Sequence, residues 1–165
     1  MAAGRSDARL RPSVLDRLTL PLSWDRGDRN RTIGVSDLRD AVQRDLGWLL
    51  NTYCAMPSNL DELPEAQNSV LSYGLSDFSS VSWTDDAQLK AIAREIEEAI
   101  RRFEPRLRPA SVRVTPVSPD KDKLPKELPH FRIEAVLHVD PVTESVAFDA
   151  DVDPIAARLS IRGSA

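Results

Sequence analysis

Apolar residues recur at helical spacing in two long stretches of the chain. The first stretch lies between Ser36 and Pro57 and carries the apolar residues Leu38, Val42, Leu46, Leu49, Leu50 and Tyr53. The second lies between Thr84 and Pro105 and carries Leu89, Ile92, Ala93, Ile96, Ile100 and Phe103. One apolar face with a period of about 3.6 residues is typical of a helix that packs against a core. The sequence therefore predicts two long helices, with Ser36 and Thr84 as N-caps and the two prolines as stops.

A shorter helix and two glycines complete the helical part of the chain. The short helix is predicted to begin near Pro64, because proline is tolerated at the first helical position, and Gly74 is predicted to supply its C-cap. Gly47 lies inside the first long helix, where glycine costs about 1 kcal/mol relative to alanine. That cost indicates that a neighbouring backbone approaches the helix closely at Gly47.

From Ala110 onward the apolar period changes to about 2 residues, which is typical of strands with one buried face. Three strands are predicted: one ending near Pro116, one over residues 131–139, and one that carries Val146, Phe148, Ala150 and Val152 on its buried face. A proline- and lysine-rich excursion over residues 118–129 separates the first two strands. We predict an α+β fold of two layers, with about three helices packed on one face of a three-stranded, mainly antiparallel sheet.

Composition narrows the classes of function. Of the 165 residues, 41% are hydrophobic and 29% are charged, and the formal net charge of −4 argues against a nucleic-acid binder. The single cysteine, Cys54, excludes an internal disulfide and a cysteine-rich zinc site, and no glycine-rich phosphate loop occurs. No cofactor or metal is therefore predicted. Because no stretch approaches the roughly 18 apolar residues of a membrane span and residues 1–10 lack the apolar core of a secretory signal, we expect a cytoplasmic protein with no direct membrane insertion.

Charge is unevenly distributed along the chain. Residues 1–31 hold seven arginines and four aspartates, a net charge of +3. Residues 134–165 hold six acidic residues and two arginines, a net charge of −4. We predict a basic, partly ordered N-terminal arm over residues 1–31, followed by a single α+β domain over residues 32–162. The arm and the acidic end are either solvated surface or docking sites for other proteins.

The most informative local feature is the end of the second long helix, where Pro105 stops the helix between Glu104 and Arg106. The arginine side chain is planar, permanently charged and suited to bidentate capture of a carboxylate. Two interpretations follow. Either Glu104 and Arg106 form an intramolecular clasp at the helix end, or they form a preorganised docking point for another subunit.

The third predicted strand is a second candidate site. The sequence after Pro154 is too short to cover this strand with a substantial element, so we expect the strand to form an open edge of the sheet. An open edge can be extended by a strand from another chain. Asp149, Asp151 and Asp153 are charges of the kind with which natural edges avoid such pairing, so they would select a basic partner.

Glycoside hydrolysis needs two suitably placed carboxylates, and Glu144 and Asp153 are the candidates on the third strand. They lie far apart along the strand, among other acidic residues. Aromatic residues, which usually line the cleft of a glycosidase, make up only 5% of the chain. A lysozyme-type hydrolase is therefore the weaker alternative.

Five short strings occur in a fixed order along the chain: residues 15–18 (LDRL), 45–52 (DLGWLLNT), 69–75 (SVLSYGL), 103–107 (FEPRL) and 146–149 (VAFD). In this order they resemble the TssE family, the baseplate subunits of type VI secretion systems, which are related to a wedge protein of contractile-phage baseplates. The resemblance covers roughly residues 13–162 and so extends over nearly the whole chain.

The resemblance implies a structural role without enzymatic activity. By the family's example, Glu104, Pro105 and Arg106 seat the subunit on the wedge core formed by TssF and TssG. The resemblance also implies that the third predicted strand templates the first ring of the contractile sheath, built from TssB and TssC, by strand addition. The residues that this role assigns to the strand are Val146, Phe148, Asp149, Ala150, Asp151 and Val152.

TssK is a further candidate partner, and association with the inner-membrane-docked secretion complex is expected to run through these partners. Two other functions stay open at this point. One is a peptidoglycan hydrolase, which the "lysozyme-like" label of the family suggests, and the other is a small regulatory adaptor of the same fold.

Overall fold

The computed structural model describes residues 14–19, 34–54, 64–67, 69–78, 80–83, 85–117, 130–140, 142–153 and 156–164. Within these residues there are four α-helices: α1 (Val14–Thr19), α2 (Val35–Leu50), α3 (Pro64–Gln67) and α4 (Asp86–Phe103). Two 3₁₀ turns lie at Val70–Ser72 and Pro109–Ser111. None of the helices in this part of the chain is long and apolar enough to cross a membrane.

Four strands form one antiparallel sheet: β1 (Arg113–Val117), β2 (His130–Val139), β3 (Val142–Asp153) and β4 (Arg158–Gly163). Their order in the sheet follows their order in the chain, β1-β2-β3-β4. Before β1 begins, the segment around Leu107 already pairs with β2 through a bridge between Leu107 and Leu137. The chain that leaves α4 is therefore fixed to the sheet.

The core lies between one face of the sheet and the two long helices. Alternate residues of β2 and β3 are buried in it: Phe131, Ile133, Ala135, Leu137, Val146, Phe148, Ala150 and Val152. α2 packs chiefly on β4 and α4 chiefly on β1. The two long helices therefore lie on the same face of the sheet, each over one half of it. Burial of this apolar surface, at about 25 cal/mol per Å², is the main force that holds the two layers together. The predicted α+β class is confirmed.

The two long helices are confirmed, but they begin at other residues than predicted. α2 starts after Gly34, whose N–H donates to Asp37 Oδ2 (2.9 Å), so Ser36 is not the N-cap. α4 starts after Asp85, whose carboxylate accepts a hydrogen bond from the first turn (2.9 Å), and Thr84 lies outside the described residues. In both cases a carboxylate satisfies a terminal N–H at the positive end of the helix dipole.

The rest of the helical prediction needs two corrections. α2 ends at Leu50, with Asn51 as its C-cap, well before the predicted stop at Pro57. The predicted short helix is reduced to the single turn α3 and the 3₁₀ turn at Val70–Ser72. The reason is that Ser69 Oγ accepts a hydrogen bond from Leu71 N (3.2 Å), because serine side chains compete with helix continuation by bonding nearby backbone groups.

The sheet has one strand more than predicted, and the third strand is not its edge. β4 pairs with residues 148–153 of β3, while β2 pairs with the opposite side of β3. The prediction of an open edge along these residues is therefore wrong. The short sequence after Pro154 suffices for a strand because Leu159 and Ile161 alternate with polar residues, and because Ala157 adopts a positive φ of 47° in the turn that precedes it.

Gly47 also departs from expectation. Outside the helix's own backbone, no described atom lies within 4 Å of the position that a Cβ would occupy there. The predicted close approach of a neighbouring backbone is therefore wrong for the described part of the chain. Instead, Gly47 leaves an open notch on the surface of α2.

The predicted N-terminal arm, residues 1–31, lies outside the described residues except for α1. Leu15 and Leu18 of α1 are exposed. Asp16 forms a salt bridge with Arg44 of α2 (2.5 Å). The described piece of the arm is thus attached to the domain through a charge pair.

Candidate functional site

Four separate segments of the chain meet around one groove of about 340 Å³. The groove is lined by Leu15 of α1, by Asp45, Trp48 and Leu49 of α2, by Tyr73, and by Phe103, Glu104, Pro105 and Arg106 at the end of α4. Four of the five short strings singled out in the sequence contribute to this lining. The fifth, residues 146–149, lies in β3. The groove is therefore the point at which most of the family-like residues converge.

The backbone beyond α4 holds the Glu-Pro-Arg segment in place. Glu104 N donates to Ile100 O (2.9 Å) and closes the last turn of α4. After Pro105, Arg106 O accepts a hydrogen bond from His138 N of β2 (2.8 Å). The segment is thus anchored to the helix on one side and to the sheet on the other.

The string at residues 69–75 is pressed against the end of α2. Leu75 N donates to Thr52 O (2.9 Å), and Cys54 N donates to Leu75 O (2.8 Å). Gly74 follows the 3₁₀ turn with a φ of 114°, and a Cβ there would lie 2.2 Å from Thr52 O. Only glycine fits this backbone conformation and this close approach, and the contact brings Tyr73 into the groove.

Arg106 and Glu104 form an intramolecular clasp on the floor of the groove. Arg106 Nε donates to Glu104 Oε1 (2.7 Å), and Arg106 Nη2 donates to Glu104 Oε2 (2.5 Å). Nη2 also donates to Asp45 Oδ2 of α2 (2.6 Å). Glu104 is only 4% exposed. The clasp interpretation is confirmed, because the guanidinium group that could have captured a partner's carboxylate is already bound to two carboxylates of its own chain.

The clasp is part of a longer row of alternating charges. Asp45 Oδ1 accepts two hydrogen bonds from Arg44, from Nε (2.9 Å) and Nη2 (2.8 Å). Arg44 Nη1 donates to Asp16 Oδ1 of α1 (2.5 Å). The row therefore links α1, α2 and the end of α4, and three acidic groups share two arginines.

The environment of the groove shifts two pKa values. Burial by itself lowers the pKa of Arg106, but the hydrogen bonds and charges of Glu104 and Asp45 outweigh burial and hold that pKa above its usual value. Burial, followed by the charges of Asp45 and Glu104, raises the pKa of Tyr73 above its usual value. Near neutral pH Arg106 therefore stays charged and Tyr73 stays a neutral phenol that can donate a hydrogen bond.

The rim of the groove is aromatic and half exposed. Trp48 is 49% exposed, and the Arg44 guanidinium lies 4.9 Å from its ring centroid. Tyr73 and Phe103 pack edge to face with centroids 5.2 Å apart. Pro105 is exposed beside them. Aromatic side chains held over a satisfied polar floor are typical of the centre of a protein–protein interface.

The residues proposed to bind the sheath lie in β3, away from the groove. Val146, Phe148, Ala150 and Val152 are buried in the core. Asp149 and Asp151 lie on the opposite face of the sheet, where Arg132 binds Asp149 (3.1 Å) and Arg162 binds Asp151 (2.5 Å). β4 pairs with residues 148–153 of β3, so Val146 is the one proposed sheath-binding residue that lies outside the stretch covered by β4. Both aspartates have basic partners within the chain. The hydrogen bond from Arg132 lowers the pKa of Asp149.

The two carboxylates considered for hydrolysis lie towards opposite ends of β3. Glu144 binds Arg39 of α2 (2.5 Å). Asp153 Oδ1 accepts a hydrogen bond from Ala156 N (3.0 Å) at the turn into β4. Among the described residues, no group of three or more His, Cys, Asp or Glu side chains is arranged to hold a metal ion.

Sequence reasoning did not assign a role to Asp16, Arg44, Asp45, Trp48 or Tyr73. Asp45 and Trp48 lie next to the apolar stripe of α2, and Tyr73 lies next to a loop. The apolar periodicity therefore does not distinguish these three residues from other surface residues. The available signal was that Asp16, Asp45, Trp48 and Tyr73 lie inside the family-like strings, and that Arg44 directly precedes one of them.

Comparison with known proteins identifies a family. The model of the family described as "Baseplate wedge protein gp25" matches residues 36–142, which include nearly all of α2, together with α4, β1, β2 and most of the groove. No curated protein and no solved structure matches the chain.

Proposed function

We propose a structural role in a contractile baseplate, because the chain belongs to the family of Baseplate wedge protein gp25. In its specific form, the proposal is that the chain is a TssE-type subunit of a type VI secretion system. It would join the wedge core of TssF and TssG to the contractile sheath of TssB and TssC, with TssK as a further partner. Its role would be structural and not enzymatic, on the cytoplasmic side of the membrane-docked complex. The observation that carries the proposal is the convergence of four family-like strings on one groove.

The groove is the proposed seat of the wedge core. Its exposed components are Trp48, Pro105 and Leu15, which offer apolar and aromatic surface to a partner. Glu104 and Arg106 support this surface from below, because their charges are satisfied by each other and by Asp45. We therefore assign direct contact to the rim and a positioning role to the clasp.

Trp48→Ala is expected to weaken binding to a purified TssF–TssG complex by about tenfold or more, as truncation of an aromatic anchor commonly does. The free energy of unfolding should change by less than about 1 kcal/mol, because half of the side chain is exposed. Binding is measured by co-purification and titration, and stability by chemical unfolding.

The matched control for Trp48 is Tyr53→Ala. Tyr53 is 66% exposed and lies outside the groove, so its truncation should leave wedge binding unchanged. Equal binding by the two variants would refute the groove as the wedge seat.

Strand addition by the sheath is proposed at a different place from the predicted one. β4 pairs only with residues 148–153 of β3, and Ser164 N donates to Ala147 O (3.0 Å). Within the described chain, the same side of β3 has no strand partner over residues 142–146. Because hydrogen-bonding direction alternates along an antiparallel strand, Thr143 and Ser145 direct their N–H and C=O groups to this open side. We propose that a sheath strand pairs there, in line with β4.

Ser145→Pro is expected to abolish sheath nucleation in cells while the subunit stays folded. Proline removes the outward N–H of residue 145, and proline is tolerated where that N–H does not take part in a ladder. The control, Ser145→Ala, loses the same hydroxyl group but keeps the N–H, so it should nucleate sheaths normally. Sheath formation is followed by fluorescence microscopy of a labelled sheath subunit, and normal sheaths in Ser145→Pro cells would refute this site.

A further inference from the structure

The outer side of β4 is bonded to side chains of α2 and not to another strand. Leu159 N donates to Asn51 Oδ1 (2.9 Å), and Asn51 Nδ2 donates to Leu159 O (2.8 Å). Gln43 Nε2 donates to Ile161 O (3.0 Å). A side-chain amide carries the same donor and acceptor as a peptide group. Asn51 therefore bonds Leu159 as a residue of a neighbouring antiparallel strand would.

At the opposite edge of the sheet, a side chain of a long helix likewise binds an outward backbone group of β1. Val114 N donates to Glu97 Oε2 of α4 (3.0 Å). Pro116, which points its nitrogen to the same outer side as Val114, has no N–H to offer. Among the described residues, both outward groups of Leu159, the outward C=O of Ile161 and the outward N–H of Val114 are thus bound by side chains. This contrasts with the unpaired side of β3 at residues 142–146.

Open space lies beside the side-chain amides at the β4 edge. A cavity of about 280 Å³ opens beside β4, between Gly47 of α2 and Ile161 of β4, with Gln43 in its wall. No described atom outside the helix backbone lies within 4 Å of a Cβ at Gly47. Another chain could therefore reach this flank if the amides were absent. Unpaired edges are templates for pairing with further chains.

We propose that Asn51 and Gln43 are edge-protecting residues that prevent β4 from pairing with β4 of a second copy of this chain. By occupying both outward groups of Leu159 and the outward C=O of Ile161, they leave residues 142–146 of β3 as the place where the sheet accepts a strand. The protection against self-pairing is a property of the isolated chain and does not depend on the proposed baseplate role. Its test therefore needs no partner protein, and its failure would leave the wedge and sheath proposals standing.

The test uses the variants Gln43→Ala, Asn51→Ala and the double variant, with Thr52→Ala as the matched control. Thr52 is exposed and donates its hydroxyl to Trp48 O, so its truncation leaves β4 untouched. Sedimentation over a concentration series should show a dimer in the double variant that is absent or weaker in the unmodified chain and in Thr52→Ala. Hydrogen exchange at the Leu159 amide should be roughly fivefold faster in Asn51→Ala, because one net hydrogen bond is lost.

A third substitution, Ile161→Pro, identifies the surface through which the double variant associates. Ile161 directs its N–H to the outer side of β4, so proline removes a donor of the new pairing without breaking the β3–β4 ladder. Adding it to the double variant should restore the mass of the unmodified chain. If the double variant does not fold, Ile161→Pro is added to each single variant and the masses are compared in the same way. Unchanged mass in every amide variant, or a dimer that survives Ile161→Pro, would overturn the proposal.

Discussion

Replacing Arg106 with alanine is expected to lower the free energy of unfolding by about 3–5 kcal/mol, the usual cost of removing one partner from a buried ion pair. Glu104 is 4% exposed, and both of its carboxylate oxygens accept hydrogen bonds from Arg106. Without the guanidinium group, Glu104 would keep a buried charge with no counter-ion. Asp45 would lose less, because Arg44 still binds its other oxygen. Chemical unfolding monitored by circular dichroism measures the change.

Two further variants separate charge from packing at this site. In the double variant Glu104→Leu with Arg106→Leu no unpaired buried charge remains, so most of the lost stability should return. Arg108→Ala is the control for loss of an arginine near the end of α4, because Arg108 is exposed and its removal should change stability by less than about 0.5 kcal/mol. If Arg106→Ala is as stable as Arg108→Ala, the clasp does not hold the fold together.

This stability effect decides how binding experiments at the site are interpreted. A variant that loses the clasp should also distort the segment that carries Pro105 and the floor below Trp48. Loss of wedge binding by Arg106→Ala would therefore not identify a contact residue. Trp48→Ala leaves every hydrogen bond of the clasp intact, and for that reason it is the informative variant.

Gly74→Ala is expected to destabilise the protein by at least about 2 kcal/mol, the order of cost for a non-glycine residue in a forbidden backbone region. The φ of 114° at Gly74 disfavours any L-residue, and a Cβ would lie 2.2 Å from Thr52 O. The backbone must therefore move, which breaks the hydrogen bond between Leu75 N and Thr52 O and displaces Tyr73 from the groove. The expected result is a lower midpoint of chemical unfolding together with weaker wedge binding.

Gly47→Ala is the matched control, because it makes the same substitution at a site with the opposite expectation. Gly47 lies in α2 with open space at the Cβ position. Alanine there should raise the free energy of unfolding by about 0.5–1 kcal/mol through its higher helix propensity. If the Gly74→Ala protein is as stable as the unmodified chain, residues 69–75 do not pack tightly against the end of α2.

The long elements could be predicted from the sequence because their signals are local. The apolar stripes of α2 and α4 recur within each helix, and the alternation in β2 and β3 is uninterrupted over each strand. The stop at Pro105 is also local, since proline forbids the helical conformation of the residue before it. These features gave the α+β class and the location of Glu104 and Arg106.

Features that depend on distant partners could not be predicted in this way. β4 is only six residues long, and Leu159 and Ile161 are too few to distinguish a strand from a tail until β3 and α2 lie beside them. Arg106 meets Asp45, a residue of a different helix, only because α2 packs against α4. The intramolecular clasp could therefore be identified only in the tertiary structure.

By itself, the sequence determined the two long helices and the first three strands, which of their faces are buried, and the order of the strings that resemble a baseplate family. The tertiary structure alone decided that Arg106 is satisfied within the chain, that β3 is an interior strand, and that α2 closes the edge of β4 through Asn51 and Gln43. The physical reason is that periodicity reports whether a residue faces the core. Hydrogen-bond partners, by contrast, depend on which elements the packed core brings side by side.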